Sequence, residues 1–214
     1  MEIKLQNISK SFENQILKDF SLDIESEKTT VIMGKSGGGK TTVFNIICSI
    51  MQPDSGKVIF SETPVISAVF QENRLFETFT GYENLKAITN DEEKIHSALE
   101  ICECTDFADI KVKDMSGGMK RRISIARALC LDANLYLMDE PFKGIDMATK
   151  DRIILKLQQY LSGKTCIIIT HDIAEATKMA ENIVIISSQP AEIVYSGSCD
   201  TNSYKKIEEI IKNI

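Results

Sequence analysis

The sequence predicts an α/β fold whose core is interrupted by a helical segment, and three observations lead to that prediction. Short apolar segments of strand length alternate with helical patterns toward both ends of the chain. Residues 135–138 are almost wholly apolar, which is typical of a parallel strand buried on both faces. From residue 72 to residue 131 the recognisable patterns are helical. We therefore expect a single domain over residues 1–214, with a core of about 1–71 and 132–214 and a helical subdomain of about 72–131.

The individual elements follow from local patterns. Residues 2–8 and 20–24 alternate apolar and polar side chains, which predicts half-exposed strands. The apolar segment 29–33 ends at a glycine and precedes a helical pattern over 41–51. Thr80 and Glu83 have the spacing of a capping box, so a helix should begin there. Further strands are expected at 57–60, 65–70, 166–170 and 183–187, and further helices at 91–104, 119–131, 152–161 and 173–180.

Composition and charge exclude several classes of protein. The chain has 214 residues, 43% of them hydrophobic, and its mean hydropathy of −0.08 is that of an ordinary globular domain. No apolar run approaches the ~20 residues that a membrane-spanning helix needs. The net charge of −6 argues against a nucleic-acid partner, because nucleic-acid binding favours a basic surface. The run Lys120-Arg121-Arg122 is interpreted as the solvated face of a helix.

The six cysteines indicate a reducing environment rather than a disulfide or metal framework. Cys48, Cys130 and Cys166 lie in apolar runs and are typical small core residues. Cys102 and Cys104 are separated by one residue, which is too close for an ordinary zinc site. The first residues lack the basic and apolar stretches of a signal peptide. We therefore expect the chain to be cytoplasmic.

A phosphate-binding loop is predicted immediately after the strand at 29–33. Residues 34–41 fit the pattern G-x-x-x-x-G-K-[ST]. Glycines let backbone N–H groups wrap a phosphate chain, and the following helix directs its positive N-terminal end at the same phosphates. Lys40 can reach the β- and γ-phosphates, and the Thr41 hydroxyl can ligate Mg²⁺. The nucleotide-binding residues expected here are Gly34, Lys35, Ser36, Gly37, Gly38, Gly39, Lys40, Thr41 and Thr42.

Two carboxylates follow the apolar strand at 135–138. Asp139 and Glu140 stand at its carboxyl end, the edge at which open α/β sheets bind ligands. Asp139 would hold Mg²⁺, directly or through water. Glu140 points the other way along the pleat and can polarise a water molecule. We therefore expect Glu140 to be a catalytic residue and Asp139 a metal ligand.

A second phosphate-binding terminus is expected where a Ser-Gly-Gly sequence precedes a helix. Ser116, Gly117 and Gly118 offer a hydroxyl and bare backbone amides beside a helix N-terminus. This stretch resembles the signature motif of the ATP-binding cassette (ABC) family, whose usual form is Leu-Ser-Gly-Gly-Gln. Other phosphate-loop proteins, such as small-molecule kinases and GTPases, lack that motif. Met119 stands where the family has its glutamine, which is a departure from the usual pattern.

The resemblance covers nearly the whole chain and implies roles for four further residues. Phe12 matches the aromatic residue that stacks on adenine in the family. Gln71 matches the glutamine that touches Mg²⁺ beside the transmembrane partner. Asp146 matches the loop that crosses between subunits. His171, in the sequence Thr-His-Asp, matches the histidine that contacts the γ-phosphate.

The resemblance further implies the fold and the reaction. The fold would be a RecA-like phosphate-loop NTPase core with an antiparallel β subdomain and an inserted helical subdomain. The chain would bind ATP and Mg²⁺ as a homodimer, or with a paired ABC subunit, in a head-to-tail arrangement. Lys40 of one copy would face the partner's Ser116. Glu140, Lys40 and His171 would act in ATP hydrolysis, with Mg²⁺ held by Thr41, Gln71 and Asp139.

A finer resemblance concerns the transported solute. The stretches 70–75 and 140–142 are similar to those of importer ATPases of the nitrate, sulfonate and taurine group. This similarity implies an importer of a small solute, working with a transmembrane permease subunit and a solute-binding protein. The chain would then lie at the cytoplasmic face of the cell membrane as a peripheral subunit.

Three alternatives stay open at this point. The same chemistry serves exporters and lipoprotein-release ATPases, which differ in their cargo. A soluble ABC ATPase of assembly or DNA maintenance is the second alternative, and the acidic balance argues against the DNA role. A phosphate-loop kinase is the third, although it would leave the Ser-Gly-Gly segment at 116–118 and His171 unexplained.

Overall fold

The computed structural model describes residues 1–199 and 203–213, and these form nine strands and seven helices. Short 3₁₀ turns at Thr105–Phe107 and Val112–Asp114 add to them. The strands are β1 (Ile3–Ser11), β2 (Gln15–Ile24), β3 (Thr29–Met33), β4 (Ser55–Phe60), β5 (Ile66–Val69), β6 (Leu135–Asp139), β7 (Thr165–Ile169), β8 (Asn182–Ile186) and β9 (Ile193–Ser198). The helices are α1 (Lys40–Ile47), α2 (Gly81–Lys86), α3 (Glu92–Ile101), α4 (Gly117–Leu129), α5 (Met147–Leu161), α6 (Ile173–Met179) and α7 (Ser203–Asn213).

The strands form two sheets of different kinds. A three-stranded antiparallel sheet has the order β2-β1-β4, and Leu5 of β1 lies opposite Leu22 of β2 and Val58 of β4. A six-stranded sheet has the order β5-β6-β7-β3-β8-β9. Its first five strands are parallel, and β9 joins β8 in the antiparallel direction. The chain therefore combines a parallel α/β core with a separate antiparallel sheet.

The parallel sheet has an apolar layer on each face. Along β6, Tyr136 and Met138 belong to one buried cluster, whereas Leu135 and Leu137 belong to the other. The first cluster includes residues of the helices α2 to α7, and the second includes residues of α1 and the antiparallel sheet. Strands covered on both faces favour apolar side chains at most positions, which explains the largely apolar runs in the sequence.

Helices α2, α3 and α4 all lie between β5 and β6 in the chain. The predicted capping box begins α2: Thr80 Oγ1 accepts from the Glu83 amide at 3.0 Å, and Glu83 Oε2 accepts from the Thr80 amide at 2.8 Å. Ser116 is the N-cap of α4 and Asp146 that of α5. The strand order brings the carboxyl ends of β3, β6 and β7 to one edge of the sheet, where loops that follow these strands can meet.

None of the helices within the described residues has the length and apolar character needed to cross a bilayer.

Candidate functional site

The loop after β3 has the backbone conformation that its glycines were expected to allow. Gly34 has φ +153°, and a Cβ atom there would lie 2.5 Å from the carbonyl oxygen of Ile186. Gly39 is the N-cap of α1 with φ +92°, a left-handed conformation that side chains rarely adopt. Lys35 and Ser36 are exposed at the tip of the loop. The loop therefore leads directly from a buried strand into the N-terminus of a helix.

Lys40 lies folded back inside this loop. Its Nζ donates to the carbonyl oxygens of Gly34 at 2.7 Å and Lys35 at 2.8 Å. The residue is only 8% exposed. Burial lowers the pKa of the Lys40 ammonium, and the nearby carboxylates of Asp139 and Glu140 partly offset that effect. The ammonium group is thus bound to two neutral carbonyl oxygens. An anionic ligand at the same place would form stronger hydrogen bonds with it.

Thr41 and Asp139 meet across the ends of two strands. The Thr41 Oγ1 hydroxyl donates to Asp139 Oδ2 at 3.0 Å. Asp139 is 2% exposed, and this burial raises the pKa of its carboxyl. Gln71, which follows β5, lines a small pocket together with Thr41 and Asp139. Three oxygen-bearing side chains expected to hold Mg²⁺ therefore surround one pocket.

Glu140 and His171 form a direct pair. His171 Nδ1 lies 2.7 Å from Glu140 Oε1, and an ionised carboxylate can only accept in such a contact. The backbone of Glu140 has φ +49°, a left-handed conformation that is costly for a residue with a side chain. The Glu140 amide donates to the carbonyl of Ile169 at 2.8 Å, which ties the strained residue to the end of β7. Strain of this kind is frequent at functional sites.

Phe12 lies near the phosphate loop but on the outer side. It lines a pocket with Gly37, Gly39, Lys40 and Thr42, and its side chain is 57% exposed. An exposed aromatic ring beside a phosphate loop is free to stack on a base.

Gln189 also lines that pocket, and no sequence pattern predicts it. Its Nε2 donates to the Gly37 carbonyl at 2.7 Å. No motif marks Gln189, because the group that it binds in the loop is a backbone carbonyl, which every residue type carries.

Ser116 and its neighbours line a different pocket from the one that contains Lys40. Ser116 Oγ accepts from the Met119 amide at 3.3 Å, as an N-cap does. The pocket is closed on the other side by the loop that ends at Asp146. Gly118 packs against that loop, since a Cβ there would lie 2.7 Å from the Gly144 carbonyl oxygen.

Asp146 itself caps α5. Its Oδ1 accepts from the Thr149 amide at 3.0 Å, and this bond holds the pKa of the Asp146 carboxyl below its usual value.

The interpretation of the basic run at 120–122 as a solvated helix face is wrong for one of its members. Lys120 pairs with Glu77 at the surface. Arg121, in contrast, is 2% exposed and donates to the backbone carbonyls of Glu140 at 2.6 Å and Pro141 at 3.0 Å. Three consecutive residues on a helix point about 100° apart, so a helix buried around most of its circumference must turn one of them inward.

Comparisons with known proteins establish the family. A family model described as ABC transporter matches residues 17–143. The chain belongs to the ABC transporter family. The resemblance found in the sequence is thereby confirmed, and the chain is an ATP-binding ABC ATPase.

Two relatives of this ABC chain are import proteins by name. The taurine import ATP-binding protein TauB of Roseobacter denitrificans is 31% identical over 214 residues, covering 89% of this chain and 80% of TauB. The sulfate/thiosulfate import ATP-binding protein CysA of Escherichia coli is 33% identical over 211 residues, covering 87% of this chain. The match spans 58% of CysA, so CysA is considerably longer.

The fold also matches solved structures of ABC cassettes. The dimeric structure of MJ0796, a bacterial ABC transporter cassette, has a TM-score of 0.84 at 28% identity and covers 92% of this chain and 99% of that chain. A post-hydrolysis state of the same cassette, bound to ADP and Pi, has a TM-score of 0.83. The predicted fold class, a RecA-like core with an antiparallel β subdomain and an inserted helical subdomain, is confirmed.

Proposed function

We propose that this chain is the ATP-hydrolysing subunit of a membrane transporter that imports a small solute. The observation that carries the proposal is the meeting of two contacts at one sheet edge. These are Thr41 Oγ1 to Asp139 Oδ2 at 3.0 Å and His171 Nδ1 to Glu140 Oε1 at 2.7 Å. Import is supported by TauB and CysA, whose names describe the import of taurine and of sulfate or thiosulfate.

ATP would lie along the phosphate loop with its adenine on Phe12. The loop amides of residues 34–42 and the N-terminus of α1 would bind the phosphate oxygens. Lys40 has three donors, and two of them now contact neutral carbonyls. A triphosphate would replace these partners with charged oxygens, which form stronger hydrogen bonds with an ammonium group.

The residues present fit a Mg²⁺ ion. Mg²⁺ prefers oxygen ligands, and the Thr41 hydroxyl and Asp139 carboxylate already lie within hydrogen-bond distance of each other. Burial of Asp139 disfavours its charge in the absence of a cation, as its raised pKa indicates. Gln71 lines the same pocket and would contribute its side-chain oxygen. When bound, Mg²⁺ would neutralise charge on the phosphate oxygens.

Glu140 would act on the attacking water. Its carboxylate is held by the His171 ring, so its direction is set before ATP arrives. A positioned base of this kind contributes about 10²- to 10⁴-fold to a rate. Lys40 would stabilise charge on the transferring phosphoryl group, and His171 would contact the same group.

A complete site would need two chains. Ser116 and Lys40 line separate pockets of one chain, and Ser116 and Gly117 are exposed to solvent. A head-to-tail dimer, or a pair with a second ABC subunit, would bring the partner's Ser116 to Gly118 segment against the phosphates bound at Lys40. Met119 and the Asp146 loop would lie at the same contact. The dimeric structure of the MJ0796 cassette supports this arrangement.

The chain would transmit ATP hydrolysis to a transmembrane permease subunit and would lie on the cytoplasmic face of the membrane. A solute-binding protein would deliver the solute, as import rather than export requires a capture step outside the cell. These partners rest on the import names of TauB and CysA.

Uptake by cells tests the proposal. A strain that lacks this gene should lose uptake of at least one radiolabelled small solute from a panel that includes taurine, sulfate and thiosulfate. A plasmid with the wild-type gene should restore uptake, and Glu140→Gln should not. Arg152→Lys is the matched control, because Arg152 is an exposed residue of α5 that pairs with Glu103 away from the phosphate loop. Restored uptake with Glu140→Gln, or loss of efflux instead of uptake in the deletion strain, would refute the proposal.

A further inference from the structure

Arg121 is a buried cation that the proposed mechanism does not use. It lies on α4, five residues after Ser116, and is 2% exposed. Taking a guanidinium group out of water is costly unless its donors find partners. A guanidinium group keeps its charge in proteins and carries five N–H donors, so at this depth it needs several acceptors. The acceptors that bind this buried charge are backbone carbonyls on two sides of the group.

One side of the guanidinium binds the backbone that follows β6. Nε donates to the carbonyl of Pro141 at 3.0 Å, and Nη2 donates to the carbonyl of Glu140 at 2.6 Å. Nη2 also contacts the carbonyl oxygen of Asp139. The three consecutive carbonyls that Arg121 holds thus belong to the expected metal ligand, the expected catalytic base and the residue after it.

The other side of the guanidinium binds the backbone that follows β5. Nη1 donates to the carbonyl of Phe70 and lies 3.4 Å from that of Gln71. It is also 3.5 Å from Asn73 Oδ1. The same planar group therefore joins the segment that carries Gln71 to the segment that carries Glu140. A lysine could not do so with the same geometry, since its donors radiate from a single nitrogen.

The Glu140 backbone needs such support. Its φ of +49° lies in the left-handed region, which a residue with a Cβ adopts only where surrounding contacts hold it. The Glu140 amide is held by the Ile169 carbonyl, and the Glu140 carbonyl is held by Arg121 and by the Lys143 amide at 3.2 Å. Because the peptide units on both sides are fixed, the direction in which the Glu140 carboxylate leaves the chain is fixed too.

We infer that Arg121 is a positioning residue for ATP hydrolysis. By holding the carbonyls of Glu140 and Phe70 together, it sets where the Glu140 carboxylate stands relative to Gln71 and the phosphates. The inference rests on the proposed function, in which Glu140 acts on the attacking water. The guanidinium binds the segments that follow β5 and β6, whereas the phosphate loop follows β3, so the rate of hydrolysis should depend on Arg121 while the affinity of the loop for ATP should not.

Two variants of Arg121 separate positioning from stability. Arg121→Lys keeps the charge but loses the planar fork, and Arg121→Gln loses both. We expect kcat to fall about 10- to 100-fold for each, with the smaller loss for Arg121→Lys, as is found when supporting groups of a site are removed. The KM and the affinity for a fluorescent ATP analogue should stay at wild-type values. Turnover is counted per binding-competent molecule, determined by titration with the analogue, so that unfolded protein does not enter the comparison.

The matched control makes the same arginine-to-lysine change at an arginine that is paired at the surface. Arg152→Lys changes an α5 arginine that pairs with Glu103 at the surface, and its kcat and KM should equal those of the wild type. A thermal unfolding curve of each variant records any effect on stability separately. A wild-type kcat per binding-competent molecule in both Arg121 variants, with only the binding-competent fraction or the melting temperature reduced, would mean that Arg121 is only structural, and the inference would be overturned.

A double-mutant cycle with Glu140→Gln tests whether Arg121 acts through Glu140. If it does, Arg121→Lys should change the residual single-turnover rate of Glu140→Gln by no more than about 3-fold, because the group being positioned is already gone. A full additional loss in that background would overturn the inference and leave the proposed function intact. Wild-type turnover by Glu140→Gln alone would instead refute the proposed role of Glu140. A wild-type kcat for Arg121→Lys and Arg121→Gln, with Glu140→Gln inactive, would refute only the inference.

Discussion

Gly117 and Gly118 are adjacent glycines at the start of α4 whose surroundings differ sharply. A Cβ atom on Gly118 would lie 2.7 Å from the Gly144 carbonyl oxygen, a separation at which backbone must shift. A Cβ atom on Gly117 would meet nothing within 4 Å. The substitutions Gly118→Ala and Gly117→Ala therefore add the same methyl group, once into packed backbone and once into open space.

The expected magnitudes follow from this pair of environments. Alanine in place of glycine favours a helix by about 0.5–1 kcal/mol, and this gain is common to both variants. Overpacking at Gly118 should cost about 1–3 kcal/mol, because the obstructing atom is backbone rather than the end of a flexible side chain. The difference in the free energy of unfolding between the two variants isolates that cost. At about 2–4 °C per kcal/mol for a chain of this size, Gly118→Ala should melt several degrees below Gly117→Ala.

Thermal unfolding without nucleotide measures this difference, and ATP-driven dimerisation then separates packing from recognition. Gly117→Ala should be at least as stable as the wild type, yet it should dimerise poorly with Mg-ATP, since its new methyl group lies on the surface proposed to meet the partner's phosphates. Sedimentation of both variants in the Glu140→Gln background gives the dimer fraction. Equal melting temperatures would refute the packing argument for Gly118. Unimpaired dimerisation of Gly117→Ala would refute the proposed contact.

Three further predictions concern the proposed catalytic residues. Glu140→Gln should bind ATP normally and lose about 10²- to 10⁴-fold in phosphate release; turnover at the wild-type rate would exclude Glu140 from catalysis. Lys40→Ala should weaken the binding of a fluorescent ATP analogue far more than Lys35→Ala, because Lys40 lies buried inside the loop whereas Lys35 is exposed; equal losses would contradict the assignment. Mixing Lys40→Ala with Ser116→Arg should restore part of the ATP binding that each lacks alone, and no gain in confirmed mixed dimers would mean that Ser116 does not act on the partner's nucleotide.

The strands of the parallel core could be predicted because a strand that is buried on both faces is a short apolar run in the sequence. Strands β3, β6, β7 and β8 each contain an apolar run of at least three residues, and each is predicted within a residue or two of its observed position. The predicted end of α1 at residue 51 is wrong, since the helix ends at Ile47. Ser49 has φ +58°, a left-handed turn that the apolar pattern does not reveal.

Two elements near the end of the described chain were not predicted. Strand β9 is an antiparallel edge strand whose residues are alternately half-buried and exposed, and its second half is rich in serine and glycine. Helix α7 is different, because Ile207, Ile210 and Ile211 already have the spacing of one helix face in the sequence. That signal was present and could have been used.

Some residues of the candidate site can be predicted from the sequence and others cannot. The predictable ones act through side-chain chemistry, whereas the others bind backbone groups. Lys40, Thr41 and Asp139 lie in motifs because their side-chain chemistry limits which residue types can serve, and the structure brings Thr41 and Asp139 into contact. Met119 occupies the position of a family glutamine and lines the pocket beside Ser116. Its place in the pocket follows from the motif, but a thioether cannot make the hydrogen bonds that a glutamine side chain makes.

Arg121 shows why the remainder could not be predicted from local patterns. Its acceptors are mostly backbone carbonyls of residues 18 to 51 positions away in the chain, and every residue type carries a carbonyl. No motif can therefore mark the partners. What the sequence does contain is a geometric constraint: Ile123, Ile125 and Ala128 are apolar and lie on different sides of a helix, so three consecutive basic residues before them cannot all face water if that helix is packed. One of the three must therefore turn inward, and a buried arginine needs acceptors for its donors. In this chain Arg121 finds them in backbone carbonyls, and one of these belongs to Glu140.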